Sequence, residues 1–153
     1  MKENVIKVDL AKPHKHFQSH YIGCVVLTQD NQILLQQRPD YFSSYPGYLC
    51  EFGGKIEQGE EAEDALVREM TEELGAHVDL KDVTRFGAIT ELMSKHSELI
   101  HTFFWHDKLG SITGCYEGEP RYFNNAADIL ASPKLTDGLR WLVGQCKSQG
   151  LIK

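Results

Sequence analysis

Four charged residues stand at helical spacing in one short stretch of the chain. Arg68, Glu69, Glu72 and Glu73 belong to the segment GKIEQGEEAEDALVREMTEELGA, residues 54–76. In a helix Glu69 relates to Glu72 and Glu73 as i to i+3 and i+4, so the three carboxylates share one face. Like charges at this spacing weaken an isolated helix by roughly 0.2–0.5 kcal/mol per pair. A bound cation would offset that repulsion, and we therefore predict a cation site on this face.

The other flank of the predicted helix, which runs from about Glu61 to Leu74, is apolar. Leu66, Met70 and Leu74 follow one another at intervals of four and form a row beside the acidic face. The helix is thus expected to pack against the protein with one flank and to bind the cation with the next.

Glycines precede this helix. Gly53, Gly54 and Gly59 leave room for the main chain to approach a ligand closely, which a side chain would obstruct. A main-chain carbonyl in this turn is therefore an additional candidate for the cation.

The elements that must position this segment alternate between strands and helices. Tyr21–Thr28 and Ile33–Gln37 are predicted to form a β-hairpin around a turn at Asp30–Asn31. Three more strands are predicted after the acidic helix, in the ranges 83–92, 98–106 and 114–123. A helical turn at 126–130 and a helix capped by Thr136 complete the chain, the helix burying Leu139, Leu142, Val143 and Cys146. This order predicts an α/β fold with a mixed sheet covered on both faces.

Composition narrows the classes of protein. The chain has 153 residues, 41% of them apolar, and is expected to form one domain over residues 1–153, with 1–18 as a loosely packed N-terminal arm. The net charge is −6 and no basic run occurs, which argues against nucleic-acid binding. No segment has the roughly 18 apolar residues of a membrane span, and no secretion signal is recognisable, so no membrane association and a cytoplasmic location are expected. Four scattered cysteines predict free thiols rather than a zinc or redox site.

The segment resembles the signature of the Nudix hydrolases, G-x5-E-x7-R-E-U-x-E-E-x-G-U, in which U is aliphatic. Every fixed position is met: Gly54, Glu60, Arg68, Glu69, Glu72, Glu73 and Gly75, with Met70 and Ala76 at the aliphatic positions. The flanking YIGCVVLT and ILLQQRP are also similar to the family. The resemblance implies the Nudix α/β/α sandwich and hydrolysis of a pyrophosphate bond. We refer to residues 54–76 as the box.

The resemblance also implies roles for the box residues. Glu69, Glu73 and Glu72, with the carbonyl of Gly54, are expected to bind Mg²⁺, for which Mn²⁺ could substitute. Magnesium favours carboxylates combined with substrate phosphates over a closed protein cage. Glu69 and Glu72 are also counted among the catalytic residues, and Arg68 is expected to hold a neighbouring carboxylate, with Glu60 as its candidate partner.

The sequence indicates the general base and the substrate contacts less specifically than the metal ligands. The general base is expected to be a box glutamate or a later loop carboxylate, for which Glu117 and Glu119 are candidates; both could equally be solvated loop acids. Arg38, Gly53 and Lys55 are the candidate substrate contacts. The tyrosines of the 41–48 segment could stack a base or simply pack around a loop.

The substrate is expected to be a nucleotide or another nucleoside-diphosphate derivative. The short chain favours a nucleoside triphosphate pyrophosphohydrolase, with a sugar nucleotide of the ADP-ribose type or a dinucleoside polyphosphate as alternatives. The subtype marks of those two alternatives do not occur beyond the box. A non-catalytic nucleotide sensor is the rival from another class, and a homodimer is left open.

One departure from the family pattern concerns the residues before Gly53. Glu51 and Phe52 stand where many members have an aromatic residue and proline. The register of the strand around Tyr48, Leu49 and Cys50 therefore stays undecided at the sequence level.

Overall fold

The computed structural model describes residues 4–14 and 16–153. It contains eight β-strands and three α-helices in the described part of the chain. The strands are β1 Val5–Val8, β2 Ser19–Leu27, β3 Ile33–Gln37, β4 Leu49–Cys50, β5 Phe52–Lys55, β6 Val83–Glu91, β7 Glu98–His106 and β8 Glu119–Phe123. The helices are α1 Ala62–Leu74, α2 Ala126–Leu130 and α3 Asp137–Ser148.

The strands form one mixed sheet. Its order is β1-β6-β7-β2-β3-β4, with β5 also paired to β2 and β8 also paired to β3. β2 lies at the centre: it runs parallel to β7 and antiparallel to β3 and β5. This arrangement places Gly53 and Gly54, in the middle of β5, directly opposite Gly23 and Ile22 of the central strand.

Helices cover both faces of the sheet. α1 buries Leu66, Met70 and Leu74 against one face, together with Phe52 and Trp105. α2 and α3 cover the other face, where Leu139, Leu142, Val143 and Cys146 are fully buried. The predicted α/β sandwich with a mixed sheet is confirmed, and so are the apolar flanks expected for both long helices.

The ends of α1 are set by local chemistry. Glu61 and Asp64 form a reciprocal capping box at its N-terminus. Gly75 ends the helix in the left-handed conformation, with φ of 60°, and its amide bonds back to the last turn. Glycine is favoured there because the left-handed conformation is costly for residues with a Cβ. The last fixed glycine of the box thus acts as a helix stop.

Residues 1–18 were expected to form a loose arm, and this was wrong for the part that pairs with the sheet. Val5–Val8 forms β1, which pairs antiparallel with β6 from Val5 opposite Glu91 to Val8 opposite Ala88. Val5 is buried with Ile89 and Ile100. The contact of Val5 with these two isoleucines therefore fixes this segment at the edge of the sheet.

The register that the sequence left open is settled by two short strands. Leu49 and Cys50 pair with β3, whereas Phe52 to Lys55 pair with β2. Glu51 is the residue between them, at the point where the chain changes partner. Leu49 therefore packs with α3 and Phe52 with α1, on opposite faces of the sheet.

Candidate active site

Arg68 is the centre of a hydrogen-bond network that fixes the box loop onto α1. Its guanidinium binds both oxygens of Glu60, at 2.8 and 2.9 Å, and donates to Glu69 at 2.8 Å and to the carbonyl of Lys55 at 2.9 Å. The predicted pair with Glu60 is present in the structure. Arg68 lowers the pKa of Glu60 to about 2. All three guanidinium nitrogens of Arg68 are therefore engaged within the box.

Gly54 and Glu69 are in direct contact. The carboxylate of Glu69 occupies the space that a Cβ on residue 54 would fill. Glu69 is only 8% exposed. Burial raises its pKa, and the hydrogen bond and charge of Arg68 oppose that rise. The absence of a side chain at Gly54 is therefore what lets this carboxylate lie against the main chain of β5.

Glu73 is the most deeply buried acid of the box, at 1% exposure. Its Oε2 has no hydrogen-bond partner in the described part of the chain. Burial raises the pKa of Glu73 to about 10, the neighbouring Glu117 and Glu69 carboxyls add to the rise, and the Gly53 amide opposes it. A buried carboxylate oxygen without a donor is costly unless a cation or proton neutralises it.

The loop acid Glu117 lies beside Glu73, as its effect on the Glu73 pKa shows. Glu119, the other loop acid, begins β8 opposite Gln37 and is exposed. Of the two acids that the sequence could not separate, only Glu117 adjoins the box carboxylates.

The residues present fit a hard divalent cation. The donors are carboxylate oxygens, one of them orphaned in a buried position, beside Gly54 of β5, where the missing side chain lets the Glu69 carboxylate approach the main chain. Glu72 lies at the rim: its side chain is 58% exposed and approaches Arg68 at 3.4 Å. Among residues 4–14 and 16–153, no group of three or more His, Cys, Asp or Glu side chains is already arranged as a metal cage.

A cleft of about 370 Å³ opens beside the two glycines of β5. Gly53, Gly54, Glu117 and Arg38 all line it, so two of the three predicted substrate contacts lie there. The guanidinium of Arg38 donates to the carbonyl and hydroxyl of Ser44, at 2.7 and 2.8 Å. Arg38 therefore also ties down the loop that forms one wall of the cleft.

Lys55 does not line this cleft, and its contact with substrate stays a prediction. Its side chain is exposed, and it borders a second depression of about 410 Å³ together with His20, Arg85 and His101. Lys55 is the last residue of β5, opposite Tyr21, and follows the two glycines along the strand.

Several cleft residues carry no motif and were not predicted. They are Tyr21, Glu51, Glu91, Glu98 and Ile100. Glu51 lies between β4 and β5, and the others come from β2, β6 and β7, strands far apart in sequence that only the sheet order brings together. The one usable signal was Glu91, an acid that directly follows the buried run Ala88, Ile89 and Thr90 at the end of β6.

Comparison with known protein families identifies the family of this chain. The family model of the NUDIX domain matches residues 19–135. The chain therefore belongs to the Nudix hydrolase family, as its box indicated.

Individual proteins of known name are also similar to the chain, one in part of its sequence and two in fold. It is 40% identical over 63 residues to "Nucleoside triphosphatase NudI" of Salmonella agona, a match that covers 41% of this chain and 45% of that protein. The chain is thus matched over less than half the length of this curated relative. The fold is similar to that of MutT from a study of Aliivibrio salmonicida and Vibrio cholerae, with TM-score 0.66, 24% identity, and 86% and 98% of the two chains covered. MutT NUDIX hydrolase from Burkholderia pseudomallei is similar at TM-score 0.65 and 24% identity, over 83% and 96% of the two chains.

None of the helices in the described residues combines the length and apolar character needed to cross a bilayer.

Proposed function

We propose that the protein is a magnesium-dependent pyrophosphohydrolase that converts a nucleoside triphosphate to a nucleoside monophosphate and pyrophosphate. One observation carries the proposal: Glu69, Glu73 and Glu117 lie together beside Gly53 and Gly54 of β5, and Glu117 and both glycines line an open cleft. The partial similarity to a nucleoside triphosphatase supports the choice of substrate class.

Glu69, Glu73 and the carbonyl of Gly54 would hold the magnesium, with Glu72 contributing from the rim. When bound, the ion would neutralise the phosphates and lower the pKa of a water molecule. The remaining ligands would be water and substrate phosphates, since Mg²⁺ ordinarily keeps several ligands that the protein does not supply. Mn²⁺ prefers similar oxygen ligands and is the expected substitute.

Glu117 is the proposed general base. Its carboxylate would take a proton from the attacking water while a new P–O bond forms and the bridging P–O bond breaks. The bridging oxygen leaves with pyrophosphate. Arg68 orients Glu69 and closes the box loop through Glu60, so it acts through other residues and does not touch the reacting atoms.

Two observations support an active hydrolase over a silent sensor. Glu73 is buried with an unpartnered oxygen, and Glu69 and Glu117 raise its pKa further. Such an arrangement is costly in the free protein, and nucleotide binding alone does not require it.

Product analysis tests the proposal. The purified protein is incubated with nucleoside triphosphates, ADP-ribose and diadenosine polyphosphates, each with Mg²⁺, with Mn²⁺ or with excess chelator, and the products are separated by ion-exchange chromatography. Nucleoside monophosphate with pyrophosphate, dependent on the metal, is the expected result. Monophosphate with a sugar phosphate would assign the sugar-nucleotide alternative instead. Binding without turnover in both metals would establish the sensor and reject the proposal.

A further inference from the structure

The cleft that Gly53 and Gly54 line also reaches residues of β2, β6 and β7. Its lining also includes Tyr21 of β2, Glu91 of β6, Glu98 and Ile100 of β7, together with Tyr45 and Glu51. We call these six residues the acidic end. None of them belongs to the box, and none has a part in the proposed hydrolysis.

Acceptors dominate the acidic end. It has three glutamates and no lysine, arginine or histidine among its lining residues. The cation nearest along the lining, Arg38, already donates to Ser44 through two nitrogens. An ionised carboxylate only accepts hydrogen bonds, and even a protonated one keeps acceptor capacity. A ligand that enters here is therefore favoured if it brings donors.

Two of these carboxyls have oxygens that lack a donor. Glu91 is only 4% exposed; its Oε2 accepts from the amide of Gly138 at 2.8 Å, and no group in the described residues donates to its other oxygen. Oε2 of Glu51 is buried and also unpartnered among the described residues. Buried polar groups are nearly always hydrogen-bonded, so the free oxygen of Glu91 on the cleft wall is the acceptor that a ligand would complete, whereas the Glu51 oxygen is covered by the protein.

The neighbouring walls suit a flat ring. Tyr45 lines the cleft from the loop that Arg38 ties down, and its backbone is in the left-handed region, with φ of 45°. This conformation is unfavourable for a residue with a bulky side chain and is retained where surrounding contacts enforce it. Tyr21 and Ile100, opposite each other on β2 and β7, add apolar surface. Aromatic rings beside a cleft of this kind can stack a base.

We propose that the acidic end holds the nucleobase and selects bases that carry an exocyclic amino group, with Glu91 and Glu98 as the specificity-determining acceptors. The inference rests on the proposed function, because it assumes a nucleotide whose phosphates lie at the box. A carboxylate accepts from the amino group of cytosine, whereas the carbonyl of uracil at the same ring position offers only lone pairs. Repulsion between the glutamate oxygens and the uracil carbonyl would disfavour uracil.

Matched nucleotide pairs test the selectivity. dCTP and dUTP differ in an amino group against a carbonyl at C4 and in the hydrogen that uracil carries on N3, whereas dGTP and dITP differ in the 2-amino group alone. For the wild-type protein with Mg²⁺ we expect kcat/KM to favour the amino-bearing member of at least one pair by about tenfold or more, as one hydrogen bond to a charged group would give.

Glu91→Gln and Glu98→Gln test the residues. Each exchanges an acceptor for an amide that can donate, so the preference should fall below about threefold in at least one of them, with the rate on the disfavoured base kept or raised. Asp128→Asn makes the same chemical change on the exposed surface of α2 and should leave the preference intact. If Glu91→Gln unfolds because its bond to Gly138 is weakened, Glu98→Gln carries the test alone.

The outcomes separate this inference from the proposed function. Equal rates on both members of each pair, or a preference that neither variant changes, would overturn the selectivity while hydrolysis stands. If no nucleotide is hydrolysed, the proposed function fails. Dissociation constants for dCTP, dUTP, dGTP and dITP, measured by calorimetry, then decide whether the acidic end still selects the amino group.

Discussion

The carboxylate of Glu69 lies where a Cβ on Gly54 would be. This contact joins the acidic face of α1 to the main chain of β5, so the spacing between helix and strand is set by a missing side chain. A protein interior is close-packed and cannot absorb an added methyl group here without moving the carboxylate.

Gly54→Ala should therefore reduce kcat by about 10- to 100-fold, because displacing a catalytic group by about 1 Å can cost that much. Gly144→Ala is the matched control: residue 144 is an exposed position within α3 with nothing near its Cβ, and alanine should stabilise the helix by roughly 0.5–1 kcal/mol. Steady-state kinetics and thermal melts of both variants measure this. Full activity of Gly54→Ala would mean that Glu69 does not need its observed position.

Glu73→Gln should lower turnover in Mg²⁺ by about 100-fold or more, since a neutral amide is a poor ligand for a hard ion. The fold should persist, and the melting temperature without metal should stay equal or rise, because the variant removes a buried acid without a partner. Pyrophosphate release and a thermal melt in chelator check the two parts. The exposed Glu72→Gln is expected to have the smaller kinetic effect.

The metal-free protein should lose stability as the pH rises. The folded pKa of Glu73 is about 10 against an ordinary value of 4.5, so its contribution is complete below pH 4.5 and is lost progressively as the pH rises toward 10. Burial and the Glu51 charge raise the pKa of Glu91 to about 7, which adds a loss in the same direction between pH 4.5 and 7. Melting temperatures in chelator from pH 5 to 9 should therefore fall.

The same titration predicts proton release when the metal binds. Below pH 10 a metal that needs the ionised Glu73 must displace its proton, so the apparent Mg²⁺ affinity should rise by up to about tenfold per pH unit. Calorimetry in buffers of different ionisation enthalpy measures the protons released. Glu73→Gln should release fewer protons and show a flatter melting profile; an affinity independent of pH would contradict the assignment.

Arg68→Ala should change the behaviour of the protein in acid. Arg68 depresses the pKa of Glu60 to about 2, so this pair contributes stability above pH 4.5 that is lost as the pH falls from 4.5 toward 2. The variant should be less stable at neutral pH, and its acid unfolding should lack the part of the transition that Glu60 contributes. Circular dichroism between pH 2 and 7 compares the two proteins. Arg68→Lys, which keeps the charge without the fork of donors, should restore only part of the difference.

Glu117→Gln and Glu119→Gln separate the two loop acids. Glu117 adjoins Glu73, whereas Glu119 is an exposed residue of β8. A base contributes about 10²- to 10⁴-fold, so Glu117→Gln should lose kcat in that range with KM nearly unchanged, and Glu119→Gln should resemble the wild type. If the pattern is reversed, the base is Glu119 and the loop must rearrange when substrate binds.

Much of the molecule followed from local sequence. The capping residues, the row Leu66, Met70 and Leu74, and Gly75 determine α1 within a single segment, because helix spacing is a local property. Local sequence also determines the hairpin of β2 and β3 and the N-terminal cap of α3 by Thr136. The box likewise placed Glu69, Glu72 and Glu73 on one face before any tertiary contact was considered, and the Arg68–Glu60 pair was expected from the same segment.

Tertiary structure decided what local spacing could not. The parallel pairing of β2 with β7, together with the antiparallel pairing of β7 with β6, brings Tyr21, Glu91 and Glu98 to one cleft, although up to 77 positions of sequence separate them. It also buries Glu73 while leaving Glu72 exposed, and it separates Glu117 from Glu119. Long-range strand order and the depth at which each carboxyl is buried depend on how the whole chain packs, so no short sequence pattern contains them.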